Sequence, residues 1–401
     1  MKTAGIIAEY NPFHSGHQFH LAQTKERLGP QGAVVCVMSG NWVQRGGAAL
    51  LSKQARTAMA LRGGADLVLE LPTLWAAASA ERFARGGVEL LHAAGVIDVL
   101  SFGSEDGVLD HLRTVADCLD TPACQAELRR RADGGMPFAA ARRAAVRALL
   151  GPEADCLDQP NNNLGVEYLR ALRALQSRIT PMTIPRQGAG HHAAESSGGT
   201  ASASALRRWI EAGDWNRAEG FLSETDKLLL AEEQAAGRAP ASLERCERAV
   251  LARLRTMAAG DWAALPDSGG EEGLPHRLVR AAGEARTIEE FWRLAKTRRY
   301  AHARLRRLTL WAFLGLRAVE LPEHVPYLRV LGFGERGKAL LREMKERAAL
   351  PVLVKPAHAR RLDEAGQRVF SLEVGWTDLY GLCQPAVPPC GEEWRRGPVV
   401  L

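Results

Sequence analysis

No stretch of this sequence approaches the roughly eighteen apolar residues of a membrane-crossing helix, and the apolar run in its opening "MKTAGIIAEYNP" is too short for a secretory leader. Both absences predict a cytoplasmic protein with no membrane partner. Cysteine is sparse and unpatterned: seven residues, an odd number with no Cys-x-x-Cys pair, so neither a disulfide framework nor a structural zinc site is indicated. Cys36, inside "AVVCVM", reads as a reduced core residue. There is no internal repeat of fixed period, no carboxylate cage for a divalent cation, and no evident general base; Glu9 and Glu105 are the weak candidates for that role.

What is present is ordinary globular composition over 401 residues, 46% hydrophobic and 24% charged, enough to bury a large core in two or three domains. The net charge is +6 and the basic residues are mostly arginine, whose planar fork suits phosphate or carboxylate. Apolar runs at residues 5–8, 33–38, 66–69 and 96–102 predict short buried strands, separated by helical periodicity at 52–61 and 80–94. Such alternation predicts an α/β fold with a parallel sheet covered on both faces, where ligands bind beyond the carboxyl ends of the strands. The polar landmarks "EYNPFHSGH", "SGNWVQRG", "ELP" and "GSEDG" each follow one of those strands.

Residues 107–158 read as an Arg- and Ala-rich helical insertion, "QPNNNLGVEYLRAL" as a helix entered through asparagines, and "PMTIPR" as a further strand. A Gly-, His- and Ser-rich loop over 188–202 leads into "SASALRRWIEAG", where Ser202 or Ser204 can cap a helix running to about Ala212. From 213 to 401 the pattern is mainly helical, with a polar linker at 265–272. "PYLRVLGFGERGKALLREMKE" and "LPVLVK" suggest a small final unit.

The chemistry-bearing residues fall into three groups. His14 and His17 are three apart, which places both imidazoles on one face near a helix N-terminus, where free amides and the macrodipole favour an anion. A phosphate cradle, a zinc site lacking its third ligand and a satisfied core pair are equally compatible with them. "SASALR" shifts that balance, because Ser202, Ser204 and Arg207 offer hydroxyls, amides and a guanidinium to the same phosphates. The third group is basic: Gln44, Arg45, Lys53 and Arg56 near the second strand, and Arg298, Arg299, Arg304, Arg306 and Arg307 around Tyr300, each open to a solvated-surface explanation.

"EYNPFHSGH" and "SASALR" resemble the two signatures of the HxGH nucleotidylyltransferase superfamily. In order along the chain, "GIIAEYNPFHSGHQFHL", "MSGNWVQRG", "GADLVLELP", "SAERFA", "FGSE", "PNNNLGVEYL", "TIPR", "RRYAHARLRRL" and "YLRVLGF" resemble the tRNA(Met) cytidine acetate ligase family. The resemblance implies a Rossmann-like nucleotidylyltransferase (HUP) domain over 1–212 and a mainly helical tRNA-binding domain over 213–401. It implies a ligase that uses ATP, with Mg²⁺, to activate acetate as acetyl-adenylate and acetylates N4 of the wobble cytidine of elongator tRNA(Met). Carried over, the ATP-binding stretch is Ile7, Ala8, Glu9, Tyr10, Asn11, Pro12, Phe13, His14, Ser15, Gly16, His17, Gln18, Phe19 and His20, joined by Gly103, Asn162 and Arg186. His14, His17, Ser202, Ser204 and Arg207 take the catalytic roles. With the family, Arg298, Arg299, Arg304 and Arg307 become tRNA contacts; Gln44, Arg45 and Lys53 are substrate contacts by their place and charge alone. Ser15 stands where the family carries asparagine, and "GGAALLSK", "NNNLG" and "GAGHH" depart from its usual patterns. The rival functions are a small-molecule adenylyltransferase or carboxylate–amine ligase sharing HxGH chemistry, and an RNA-binding protein with a vestigial nucleotide site. Oligomeric state is open.

Overall fold

A computed structural model describes residues 1–105, 107–186, 201–268 and 273–401. Its strands are β1 Thr3–Ala8, β2 Ala33–Ser39, β3 Trp42–Val43, β4 Gly47–Ala48, β5 Leu67–Leu71, β6 Val99–Ser104, β7 Thr180–Pro185, β8 Leu328–Phe333, β9 Val352–Leu353 and β10 Val399–Val400. The main sheet runs β10-β8-β5-β2-β1-β6-β7, with β9 paired to β8, while β3 and β4 form a separate antiparallel hairpin. All main-sheet pairs are parallel except β5 with β8. The expected strands at 5–8, 33–38, 66–69 and 96–102 and the strand "PMTIPR" are therefore present, with ends shifted by a few residues.

Period-two alternation sends neighbouring side chains of β1, β2 and β5 to opposite faces. Ile6, Val34, Cys36, Met38 and Val68 pack with Leu21, Met59, Leu206 and Ile210 on one side. Ile7, Val35, Val37, Leu67 and Leu69 pack on the other with Phe83, Val88 and Leu112. The first side is covered by helices Ser15–Leu28, Lys53–Arg62 and Ala203–Glu211; the second by Ala80–Ala93, Leu109–Leu119 and Pro160–Ala174. Serines sit where the chain enters three of these helices: Ser52 accepts from Ala55 N and Ser202 from Ala205 N, each at 3.2 Å, and Ser79 from Arg82 N at 3.5 Å. The expected insertion at 107–158 is three helices and a 3₁₀ segment.

The C-terminal half is helical up to Leu314, with Trp262 stacked on Phe291 at 5.9 Å and Trp292 Nε1 donating to Thr309 Oγ1 at 2.9 Å. Here the structure departs from expectation. "YLRVLGF" is no part of a separate small unit: β8 joins the main sheet beside β5, and β10 extends it. The sheet thus takes strands from both sides of residue 213. Helix Glu364–Gly381 then packs on the β3–β4 hairpin, where Trp42 Nε1 donates to Trp376 O at 3.1 Å and Tyr380 Oη to Ala49 O at 2.9 Å. No helix among the described residues is long and apolar enough to cross a membrane.

Candidate active site

A cavity of about 510 Å³ opens at the carboxyl ends of β1, β6 and β7, the edge where a parallel sheet leaves helix N-termini and loop amides free. His14 is the N-cap of helix Ser15–Leu28, its Nδ1 accepting from Gly16 N at 3.1 Å. Its ring folds back over that glycine, where a Cβ would lie 2.9 Å from Cε1, so the third position of the His-Ser-Gly-His run has little room for a side chain. His17, one turn on, faces His14 with ring centroids 3.9 Å apart, and its Nδ1 is buried without a partner. His20 also lines the cavity, with Nε2 3.0 Å from Ser101 Oγ.

These imidazoles are held neutral. Burial, reinforced by Arg186 and Arg207, pulls His14 down to about 3; burial with Arg186 and Arg27 pulls His20 down to about 4. His17 is lowered by burial first and then by its histidine and arginine neighbours. A neutral ring keeps one N–H to donate and needs no counter-ion, which suits binding of an anion brought by a ligand. A zinc role loses ground because no group of three ligating His, Cys, Asp or Glu exists among the described residues.

Tyr10 links β1 to this helix in the left-handed region, φ 48°, a conformation strained for an aromatic residue. Its ring lies 5.0 Å from Phe13 and 4.9 Å from His17, both edge-on, and so fixes the approach to the histidines. The second signature comes from far along the chain to the same wall. Arg207 donates to Asn11 O at 2.6 Å and to Ser204 Oγ at 3.0 Å, and Ser202, Ser204 and Arg207 line the cavity with His14 and His17. Among the described residues, Arg45, Arg186, Arg207 and Arg307 share the wall with a single carboxylate, Glu9. That imbalance is a field for a polyanion.

Of the stretch 7–20, Ile7, Ala8, Glu9, Tyr10, Asn11, His14, Gly16, His17, Phe19 and His20 line the cavity. Pro12, Phe13, Ser15 and Gln18 do not: Phe13 is buried in the core at 1% exposure, Ser15 N donates to Phe221 O, and Gln18 points outward. Gly103 and Arg186 are on the wall. A Cβ at Gly103 would meet Arg186 Cγ at an ordinary 3.4 Å, so protein packing does not demand glycine there. Asn162 needs correcting. Its Oδ1 accepts from Glu105 N at 3.0 Å, and the Glu105 carboxylate in turn accepts from Asn161 N, Asn161 Nδ2 and Asn162 N. This exchange caps helix Pro160–Ala174 and removes Glu105 as a base. Asn161, not Asn162, lines the cavity and accepts from Arg186 Nη1 at 3.3 Å.

Lys53 is not at the site. Its ammonium, 1% exposed, lies 2.7 Å from Glu70 and 2.6 Å from Glu393. Burial opposes its charge, yet those two carboxylates hold its pKa above the ordinary value. Arg56 is likewise structural, donating to the carbonyls of Leu51, Glu9, Ser39 and Gly40. Gln44 and Arg45 do line the cavity. The basic block divides. Arg298 and Arg299 are exposed and precede helix His302–Leu314, and Tyr300 is buried. Arg304 donates to Asp267 O at 2.7 Å, and Arg307 to Asp267 Oδ2 at 2.9 Å while reaching the cavity wall. Of the loop over 188–202, residues 188–200 with "GAGHH" lie outside the described residues. Besides Asn161, the wall includes Phe83, Phe102, Leu164 and Tyr168, which look like plain core positions in the sequence.

Three comparisons agree along the whole chain. The family model for HIGH Nucleotidyl Transferase matches residues 1–392. The tRNA(Met) cytidine acetate ligase of Acetivibrio thermocellus is 35% identical over 418 residues, covering 100% of both chains, and that of Caldanaerobacter subterraneus is 36% identical over 388 residues, covering 95% of each. Among solved structures, Thermotoga maritima TmcAL superposes with a TM-score of 0.95 in its apo form at 31% identity, and 0.93 with bound alpha-thio ATP at 30% identity. Each of these covers 100% of both chains.

Proposed function

The chain belongs to the tRNA(Met) cytidine acetate ligase family of HIGH nucleotidyl transferases, and from that premise we propose that it activates acetate with ATP and acetylates a tRNA. An acetate oxygen attacks the α-phosphorus of ATP; a P–O bond to acetate forms as the bond to pyrophosphate breaks. The exocyclic N4 of the wobble cytidine of elongator tRNA(Met) then attacks the acetyl carbonyl, loses a proton, and expels AMP. The observation that carries the proposal is the meeting of His14 and His17 with Ser202, Ser204 and Arg207 on one arginine-rich cavity.

The first step concentrates charge on the phosphoryl oxygens and on departing pyrophosphate, so catalysis is chiefly positioning and charge stabilisation. The neutral imidazoles donate to those oxygens. Arg207, already oriented by Asn11 O and Ser204 Oγ, adds a fixed positive charge. Mg²⁺ fits as an ion carried by the nucleotide's own phosphates and waters, since no ligating cluster is available among the described residues. The second step starts from a mixed anhydride reactive enough to need no strong base, and Glu9 is the single carboxylate on the described wall. For the tRNA, Arg298 and Arg299 are placed as phosphate contacts by their exposure; Arg304 and Arg307 also bond to Asp267.

The test is mass analysis of tRNA(Met) after incubation with ATP, isotopically labelled acetate and the protein. Labelled acetyl on a cytidine, dependent on ATP, is the expected result. Pyrophosphate exchange that ignores acetate and follows another acid would move the protein to the small-molecule rival.

A further inference from the structure

The turn between β3 and β4 brings an unpartnered donor to the cavity. Gln44 Nε2 is buried without a hydrogen-bond partner, and Gln44 lines the cavity. A buried N–H without a protein acceptor is unfavourable and rare, so this amide is free to donate to an acceptor brought into the cavity. The turn carrying it is fixed on three sides. Gln44 N donates to Glu9 Oε1 at 2.6 Å; Trp42 and Tyr380 tie the hairpin to helix Glu364–Gly381; and Gly46, at φ +74°, lies where a Cβ would meet the Arg306 carbonyl carbon at 2.4 Å. Of the nearby cations that the sequence offers to a carboxylate, Lys53 and Arg56 are consumed by internal partners, while Arg45 lines the cavity beside Gln44.

The cavity that Gln44 lines also has apolar wall residues. Ile7 lies against helix Ala80–Ala93, where a Cβ on Gly87 would come 2.7 Å from Ile7 Cδ1. Phe83 of that helix and Tyr168 complete an apolar wall, with Tyr168 edge-on to Phe102 at 5.6 Å. The same cavity therefore carries phosphate donors together with an amide, the Glu9 carboxylate and hydrocarbon side chains.

We propose that Gln44 with the wall of Ile7, Phe83 and Tyr168 forms the subsite for the small carboxylic acid, a proposal that rests on the acid-activating function above. The amide donates to one carboxylate oxygen and leaves the other to attack the α-phosphorus, while the methyl group meets the apolar wall. A neutral donor orients the nucleophile without an ion pair that would quench it. No proton moves in this step, and the charge lost by the acid departs with pyrophosphate.

The test is steady-state acetylation of tRNA(Met), varying acetate and ATP separately. Gln44→Leu is expected to raise KM for acetate about ten- to a hundredfold while KM for ATP stays within about twofold, as removal of a hydrogen bond to a charged group predicts. Gln44→Asn, one carbon shorter, shifts preference from acetate toward propionate by about tenfold, the scale on which one methylene discriminates. Unchanged acetate KM, or equal rises for acetate and ATP, in folded variants overturns the subsite. Wild-type protein that acetylates nothing overturns the underlying function instead.

Discussion

Two polar clusters in this molecule do opposite work. One is the cavity at the ends of β1, β6 and β7, where neutral histidines and two buried nitrogens, His17 Nδ1 and Gln44 Nε2, lack protein partners. The other lies under the loops that follow β2 and β5. There Lys53 bonds to Glu70 and Glu393, Arg329 Nη2 reaches Glu393 at 3.3 Å, Thr377 donates to Glu393, and Thr73 donates twice to Glu373. Its unpartnered atoms, Arg329 Nε and Nη1, belong to a guanidinium over the Phe370 ring at 5.6 Å and do not face the cavity. Charge sealed against charge joins the C-terminal segment to the sheet; polarity left open waits for a ligand.

The largest expected effect comes from breaking the sealed cluster. Lys53→Met leaves Glu70 and Glu393 buried without their shared cation, which should lower unfolding free energy by about 3–5 kcal/mol, read from urea denaturation. Acetyl-adenylate formation per folded molecule should survive. Intact stability with lost activity would move Lys53 back into the site.

The converse variant is His17→Ala. Removing a pre-aimed donor costs about 2.7–4 kcal/mol of barrier, roughly a hundred- to thousandfold in rate. Stability should change by about 1 kcal/mol, since the ring's losses are edge contacts with Tyr10 and stacking on His14. Acetate-dependent pyrophosphate exchange and urea unfolding on one preparation measure both. Exchange at wild-type rate in this variant removes the imidazole from the phosphates.

Why did the sequence distinguish these clusters only in part? Strand–helix alternation, the strand ends and the caps at Ser52 and Ser202 are local, and period and residue type suffice to read them. The pairing of His14 and His17 with Arg207 was legible because each signature has its own spacing. Lys53 was not, because a buried lysine and a substrate-binding lysine differ only in what lies opposite, and Glu393 is far along the chain. Asn161 and Asn162 differ by one residue at a helix start, about 100° of rotation, so one faces the cavity and the other caps. Strand β8 was missed as a sheet member because a short apolar run says nothing about which edge it will join.

The smallest effect concerns pH and separates the clusters by sign. In the cavity, His14 at about 3 and His20 at about 4 lie below the ordinary 6.5, so the folded state binds fewer protons than the unfolded chain. The stability they contribute is complete above 6.5 and is lost as pH falls toward those values. Glu373 behaves oppositely. Burial first, and then the nearby Glu70, push it up to about 8 from 4.5, so its contribution is complete below 4.5 and is lost as pH rises toward 8. A protonated carboxyl can still accept from Thr73 N while donating to Thr73 Oγ1, and a glutamine amide has the same capacity. Glu373→Gln should therefore flatten the loss of stability between about pH 5 and about pH 8 by up to roughly 1.4 kcal/mol per pH unit, one proton's worth, and leave the acid limb unchanged. Urea unfolding across that range measures the slope. An alkaline limb as steep in the variant as in the wild type would mean that Glu373 is already ionised at neutral pH and that the sealed cluster carries one more negative charge than its pairing with Lys53 and Arg329 suggests.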